Sequence, residues 1–166
     1  MPPLDPRTRR PQPIEQSTDF ERVLRTRSRA QTQHFAVHHL PDRPSLSARA
    51  RRAAVARMLS TGDAPEAVKP VDDLPDLLWA GAVVPKRHAR RAVTRSLLKR
   101  QIRSAVERHA QALAGGLWVV RLRAPFDKAR FPSAASDALK RVARDELEAL
   151  FGAAARATVR STLPGT

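Results

Sequence analysis

The segment Gly81-Ala-Val-Val-Pro-Lys-Arg-His-Ala-Arg-Arg-Ala-Val-Thr-Arg-Ser-Leu-Leu-Lys-Arg-Gln-Ile-Arg103 decides how the chain is read. It sits in a window, Leu77 to Val106, that contains no Asp or Glu but holds Lys86, Arg87, Arg90, Arg91, Arg95, Lys99, Arg100 and Arg103. At about 100° per residue, Leu98, Ile102, Ala105, Val106 and His109 gather on one side of a helix, and Ser96, Lys99, Arg100 and Arg103 occupy the other. The spacing predicts a helix from about Ala89 to Leu113, ended by Gly115-Gly116, with one face packed and one available.

A basic helical face is ordinarily just solvated, but its charges are then of both signs. Here like charges recur at three- and four-residue spacing with no carboxylate to offset them, which costs helix stability and favours an external polyanion. The whole chain agrees: its 166 residues carry 31 Lys and Arg against 16 Asp and Glu, a formal net charge of +15. Nucleic acid is the expected partner. Anionic membrane is the competing polyanion, but no apolar run approaches the roughly 20 residues needed to span a bilayer. Reading a DNA major groove calls for side chains aimed at base edges, whereas this face offers phosphate-type cations, so RNA shape and backbone fit better. No cysteine is present, which excludes disulfides, thiolate nucleophiles and Cys-based zinc sites. The first residues carry prolines and charge without an apolar stretch, so no secretory signal is expected and the expected location is cytoplasmic.

One domain suits the length. Residues 1–13, rich in Pro and Arg, read as a disordered basic arm. Thr18-Asp19-Phe20-Glu21 has a capping-box pattern, and Phe20, Val23 and Leu24 share the inner face of the helix it would begin. His34 to Leu40 reads as a strand with Phe35 and Val37 on one face and Ala36, His38 and Leu40 on the other, ended by Pro41. Residues 41–75, with repeated Pro and a late acidic run, read as an insertion in which Ala48 to Leu59 alone is helical. Further strands are expected at Leu77 to Val84 and Leu117 to Leu122. A last helix, capped by Ser133, carries Ala135, Leu139, Val142, Ala143, Leu147 and Leu150 on one face, and residues 152–166 read as a flexible tail.

The quoted segment resembles the stretch of bacterial ribonuclease P proteins that reads G-x-x-V-S-K-K, a spacer, then A-V-x-R-N-R-x-K-R-x-x-R. Ser17-Thr-Asp-Phe-Glu-Arg-Val-Leu24 is similar to the family's S-x-D-F-x-x-V-F opening, and the likeness covers roughly residues 14 to 151 outside the insertion. It implies an α/β fold, an α+β sandwich with a mixed sheet of about four strands, three helices and a left-handed β-α-β crossover. A short fourth strand falls near Arg27 to Gln31. Periodicity does not give that handedness, since parallel crossovers are generally right-handed.

Carried over, the resemblance makes Lys86, Arg87, Arg90, Arg91, Arg95, Ser96, Lys99, Arg100 and Arg103 the RNA-contact candidates. Ser96 stands where the motif has Asn, Leu97 where it has its second Arg, and Pro85 where it has Ser; Arg90 and Arg91 are placed to compensate. It also implies a cleft for the single-stranded 5′ leader of precursor tRNA, lined here by Phe20, Phe35 and His38, with Leu24 and His38 replacing expected aromatics and weakening stacking.

The acids between Asp63 and Asp76 lie in a Pro-rich stretch, and the five His form no ligand constellation, so the sequence offers neither a two-metal site nor an acid–base pair. No catalytic residue and no protein metal site are therefore expected. The resemblance implies that an RNA subunit carries the catalysis, that Mg²⁺ is bound by the RNA–protein holoenzyme, and that the partners are ribonuclease P RNA and the precursor-tRNA leader, with no obligate protein partner. The charge and a small α/β fold would also suit a ribosomal or assembly-chaperone type RNA-binding protein.

Overall fold

The computed structural model describes residues 10–61 and 77–162. Its elements run β1 (Gln12–Pro13), α1 (Ser17–Leu24), β2 (Ser28–Gln31), β3 (Phe35–Leu40), α2 (Ala48–Thr61), β4 (Leu78–Val83), α3 (Ala92–His109), β5 (Gly116–Leu122) and α4 (Asp137–Thr162). The strands form one mixed sheet in the order β1-β4-β5-β3-β2. β1, β4 and β5 are mutually parallel, while β3 runs antiparallel to both β5 and β2.

Both faces of the sheet are covered. Phe35 and Val37 of β3, Leu78 of β4, and Trp118, Val120 and Leu122 of β5 pack against Leu98, Ile102 and Val106 of α3 and Leu139, Leu147, Leu150 and Phe151 of α4. On the opposite face Leu117 and Val119 meet Val23 of α1 and Ile14, fringed by Phe20, Leu24, Leu40 and Trp79. β4 and β5 are adjacent and joined through α3, so the basic helix is the crossover of a parallel β-α-β unit and its inner face must be apolar.

Several boundaries differ from the sequence reading. Residues 12 and 13, assigned to the disordered arm, form an edge strand on β4, where Pro13 is tolerated because an edge leaves one side without ladder bonds; residues 1–9 lie outside the described ones. α1 starts at Ser17 behind an extended Gln16 with no side-chain cap, so Thr18 and Glu21 sit inside the helix and form no capping box. α3 ends at His109, and Gly116, at φ +118°, instead begins β5, where a Cβ would meet Leu40 O at 2.6 Å. α4 is capped by Ser136, whose Oγ accepts from Leu139 N at 3.1 Å, not by Ser133, and Ala135 precedes the helix. It runs on to Thr162, and the buried Ala154 belongs to the core, so residues 152–162 are helical rather than a flexible tail. Among the described residues α2 makes four helices and β1 makes five strands, where three and about four were expected.

Two contacts lock α1. Phe20 lies directly on Gly81, where an added Cβ would fall 2.3 Å from its Cε1. Asp19, fully buried, accepts from Ser45 N at 3.0 Å, Ser45 Oγ at 2.7 Å and the Arg22 guanidinium at 2.9 Å. Arg22 also reaches Asp42. Burial alone would raise the Asp19 pKa, but the bonds from Ser45 and Arg22 outweigh it and hold the carboxyl below its ordinary value.

Gly81→Ala should displace the Phe20 ring and lower stability by about 1–3 kcal/mol, read as a drop in urea midpoint. Asp19→Asn, which weakens a charge-assisted network, should cost about 1–3 kcal/mol at pH 7. Because the folded carboxyl has the lower pKa, that contribution is complete above the ordinary Asp range and disappears as pH falls through the folded value. Urea unfolding of both proteins should therefore give a gap at pH 7 that narrows below about pH 4; a gap constant with pH would refute the assignment.

Candidate RNA interface

α3 divides as its spacing predicts. Leu98, Ile102, Ala105 and Val106 are buried, while Ser96, Lys99, Arg100 and Arg103 are exposed on the far side. Leu97 turns inward too, at 4% exposure, so the residue in the place of the motif's second Arg belongs to the core and leaves no gap in the charged face. Lys99 and Arg103 border a hollow shared with Pro13, Phe20 and Gly81 at the β1/β4 edge, whereas Ser96 and Arg100 flank a second one with Lys140 of α4.

The helix begins without a side-chain cap and without an acid in its first turn. Its positive dipole end therefore adds to the cations around it. Arg95 is half-buried and donates to Ala89 O at 3.0 Å and Arg90 O at 2.7 Å, bracing the loop that leads into α3. Thr94 Oγ1 donates to Ala134 O at 2.8 Å, and Arg91 to Pro132 O at 3.3 Å, which ties the start of α3 to the β5–α4 connection. Lys86, Arg87 and Arg90 are exposed. Among the described residues, none of the salt bridges involves Lys86, Arg87, Arg90, Arg91, Arg95, Lys99, Arg100 or Arg103. The fixed carboxylates are engaged elsewhere: Glu146 takes Thr32 Oγ1 at 2.6 Å and His34 Nδ1 at 2.8 Å, and Glu148 takes Arg108 and His109, each at 2.5 Å. Burial raises the Glu148 pKa, but those two partners outweigh it and leave it lowered. His109, stacked on Phe151, is thus a packing residue as its position on the inner face suggested.

The aromatic cleft is only partly assembled from the residues proposed for it. Phe20 lies half-buried over the α1 face of the sheet. His38 pairs with Val119 on that same face, but it is 6% exposed and its Nδ1 donates to Thr26 O at 2.9 Å, so little ring is available for stacking. Phe35 is a correction: it is fully buried on the opposite face, edge-on to Phe126 at 6.0 Å. Alternation along the strand places Phe35 and His38 on different faces, and only the packing shows that the Phe35 face is the one under α3 and α4.

Two cations escaped the sequence reading. Arg121 follows Leu117 and Val119 on the α1 face at a register opposite Ala36 and Val83, and its buried Nε has no hydrogen-bond partner among the described residues. A cation breaking the apolar run of β5 was the available signal. Lys128 lies with Arg90, Arg91 and His88 around a cavity of about 470 Å³ walled by Phe126 and Phe131; it comes from a loop with no local pattern.

Comparison with known proteins gives a consistent result. The Ribonuclease P family profile matches residues 9–146. The ribonuclease P protein component of Bordetella parapertussis is 38% identical over 118 residues, which cover 71% of this chain and 90% of that protein. That of Paraburkholderia xenovorans is 39% identical over 84 residues, covering 51% of this chain but 60% of that protein, and that of Burkholderia pseudomallei is matched over 59% of its length. The Staphylococcus aureus RNase P protein shares the fold, with a TM-score of 0.52 at 17% identity over 84% of this chain and 92% of that one. The chain belongs to the ribonuclease P protein family.

Proposed function

We propose that this chain is the RNA-binding protein subunit of ribonuclease P, assisting a catalytic RNA in endonucleolytic removal of the 5′ leader from precursor tRNA. The observation that carries this reading is the exposed face of α3, where Lys99, Arg100 and Arg103 stand without carboxylate partners among the described residues, in a chain of this family. Such a face neutralises phosphates of a folded RNA, and its rigid seating on the core fixes where they lie. The matched family gives no support to a ribosomal or assembly-chaperone role.

The chain's part in the chemistry is electrostatic and positional. The α3 face is cationic and offers Mg²⁺ no ligands, so the ion is assigned to the RNA–protein holoenzyme rather than to this face. Phosphate oxygens of the RNA are the ligands suited to it. The precursor's leader is assigned to the α1 face of the sheet, where Phe20, Val83 and Arg121 are half-buried and Gln31 is exposed. With Phe35 buried behind the sheet and His38 tied to Thr26, the leader is held there more by Arg121 than by stacking. A cytoplasmic location accords with this role, and no described helix is long and apolar enough to cross a membrane.

Changing Lys99, Arg100 and Arg103 together to Ala should reduce the slope of log affinity for a bacterial ribonuclease P RNA against log salt by about two to three units. Adding wild-type protein to that RNA at low Mg²⁺ should stimulate 5′ cleavage of precursor tRNA; absence of stimulation, with equal affinity for unrelated RNA, would overturn the assignment. Arg121→Gln should weaken holoenzyme binding of leader-bearing precursor about tenfold, equivalent to ~1.4 kcal/mol, and leave mature tRNA binding unchanged.

A further inference from the structure

The 41–75 segment contains α2, a helix that the sequence left without a role. From Arg43 to Thr61 there is no Asp or Glu, while Arg49, Arg51, Arg52 and Arg57 all fall on α2. Every α2 residue from Arg51 to Ser60 is exposed, including Val55, Met58 and Leu59, at 55%, 51% and 81%. The helix therefore gains little from burial, and its own composition, repelling and partly apolar, gives it no reason to stand in water.

Its root, by contrast, is fixed. Ser45 is bonded to the buried Asp19, and Arg22 binds Asp42 and Ser45 Oγ, so the chain leaves the body at a set place beside α1. That place adjoins the α3 surface. Arg43 to Ser47 line a hollow of about 730 Å³ with Pro13 and Trp79, and Pro13 also lines the hollow that holds Lys99 and Arg103. The narrow edge strand β1 therefore lies between the root of α2 and the hollow beside α3.

We propose that α2 is a second RNA-docking element, which lies along the phosphate backbone of the same RNA subunit that covers α3 and so extends that interface around the β1 edge. The inference rests on the proposed function. Charge selects RNA over a protein partner. Val55 follows Arg51 and Arg52 by four and three residues, and Leu59 follows Arg52 by seven, two full turns, so the helix face that carries these apolar residues also carries guanidinium groups. A polyanion compensates those charges, and the aliphatic side chains can lie against ribose and base edges in a shallow RNA groove.

The test uses the full chain and a bacterial ribonuclease P RNA. Arg49→Gln with Arg52→Gln keeps helix propensity, avoids the bond from Arg51 Nε to Leu46 O, and leaves α3 untouched. Expected is a salt slope lowered by about two units and restored by Arg49→Lys with Arg52→Lys, while the affinity of the assembled holoenzyme for precursor tRNA does not change. If the Gln pair leaves the slope unchanged while the triple α3 variant lowers it, α2 docking is overturned and the RNA-binding reading stands; if neither moves it, the reading itself fails. Dimerisation of the wild type that is abolished by Val55→Ser with Met58→Ser, with no change in slope for the Gln pair, would also overturn the proposal and make α2 an interface between copies.

Discussion

Repulsion along α3 is the constraint that the rest of the structure answers. Arg95, Lys99 and Arg103 follow one another at four-residue spacing with Arg100 beside them, and the first turn contributes no acid to offset the helix dipole. Each like-charge pair opposes the helix by a few tenths of a kcal/mol. What holds it is the burial of Leu97, Leu98, Ile102, Ala105 and Val106 against the sheet and α4, where each large side chain contributes about 1.5–3 kcal/mol. Burial outweighs repulsion several-fold, so the charged face forms without help from a partner.

Preforming that face has a structural cost that its neighbours meet locally. Arg95 turns back to the carbonyls of Ala89 and Arg90, and Thr94 and Arg91 fasten the β5–α4 connection, so the uncapped start of α3 is braced by contacts other than a carboxylate. Two carboxylates on α4 are engaged at a distance, Glu146 on the β2–β3 hairpin and Glu148 on the far end of α3. His39 follows the same economy of charge. Burial and the nearby Arg29 lower its pKa against the opposing effect of its bond to Gly115, and the neutral ring stacks on Trp118 at 4.1 Å. Positive charge is kept out of the core and concentrated on the exposed face of α3.

The opposite face of the sheet has a different character. α1 covers Leu117 and Val119, but Arg121 at the far end of β5 lies outside that apolar cluster. Gly81 lets Phe20 rest on the strand backbone, so the glycine of the family motif is explained by packing rather than by an unusual backbone angle. The Asp19 clamp then couples α1 to the root of α2 through Ser45, 26 residues further along the chain.

The sequence by itself determined the division of α3 into packed and charged faces, the three longer strands, the short strand before Phe35 and the family. These are local or compositional properties, carried by spacing along one segment or by ordered motif residues. It did not determine that Phe35 faces α3 and α4 rather than α1, that Leu97 is buried, that Arg95 braces a loop, or that Gln12 and Pro13 form an edge strand. Period-two alternation separates the residues of a strand into two sets, but when both faces of a sheet are covered it does not say which set meets which layer. Only the tertiary structure made that assignment, because it depends on the register of β3 with β5 and on which helices lie on each side.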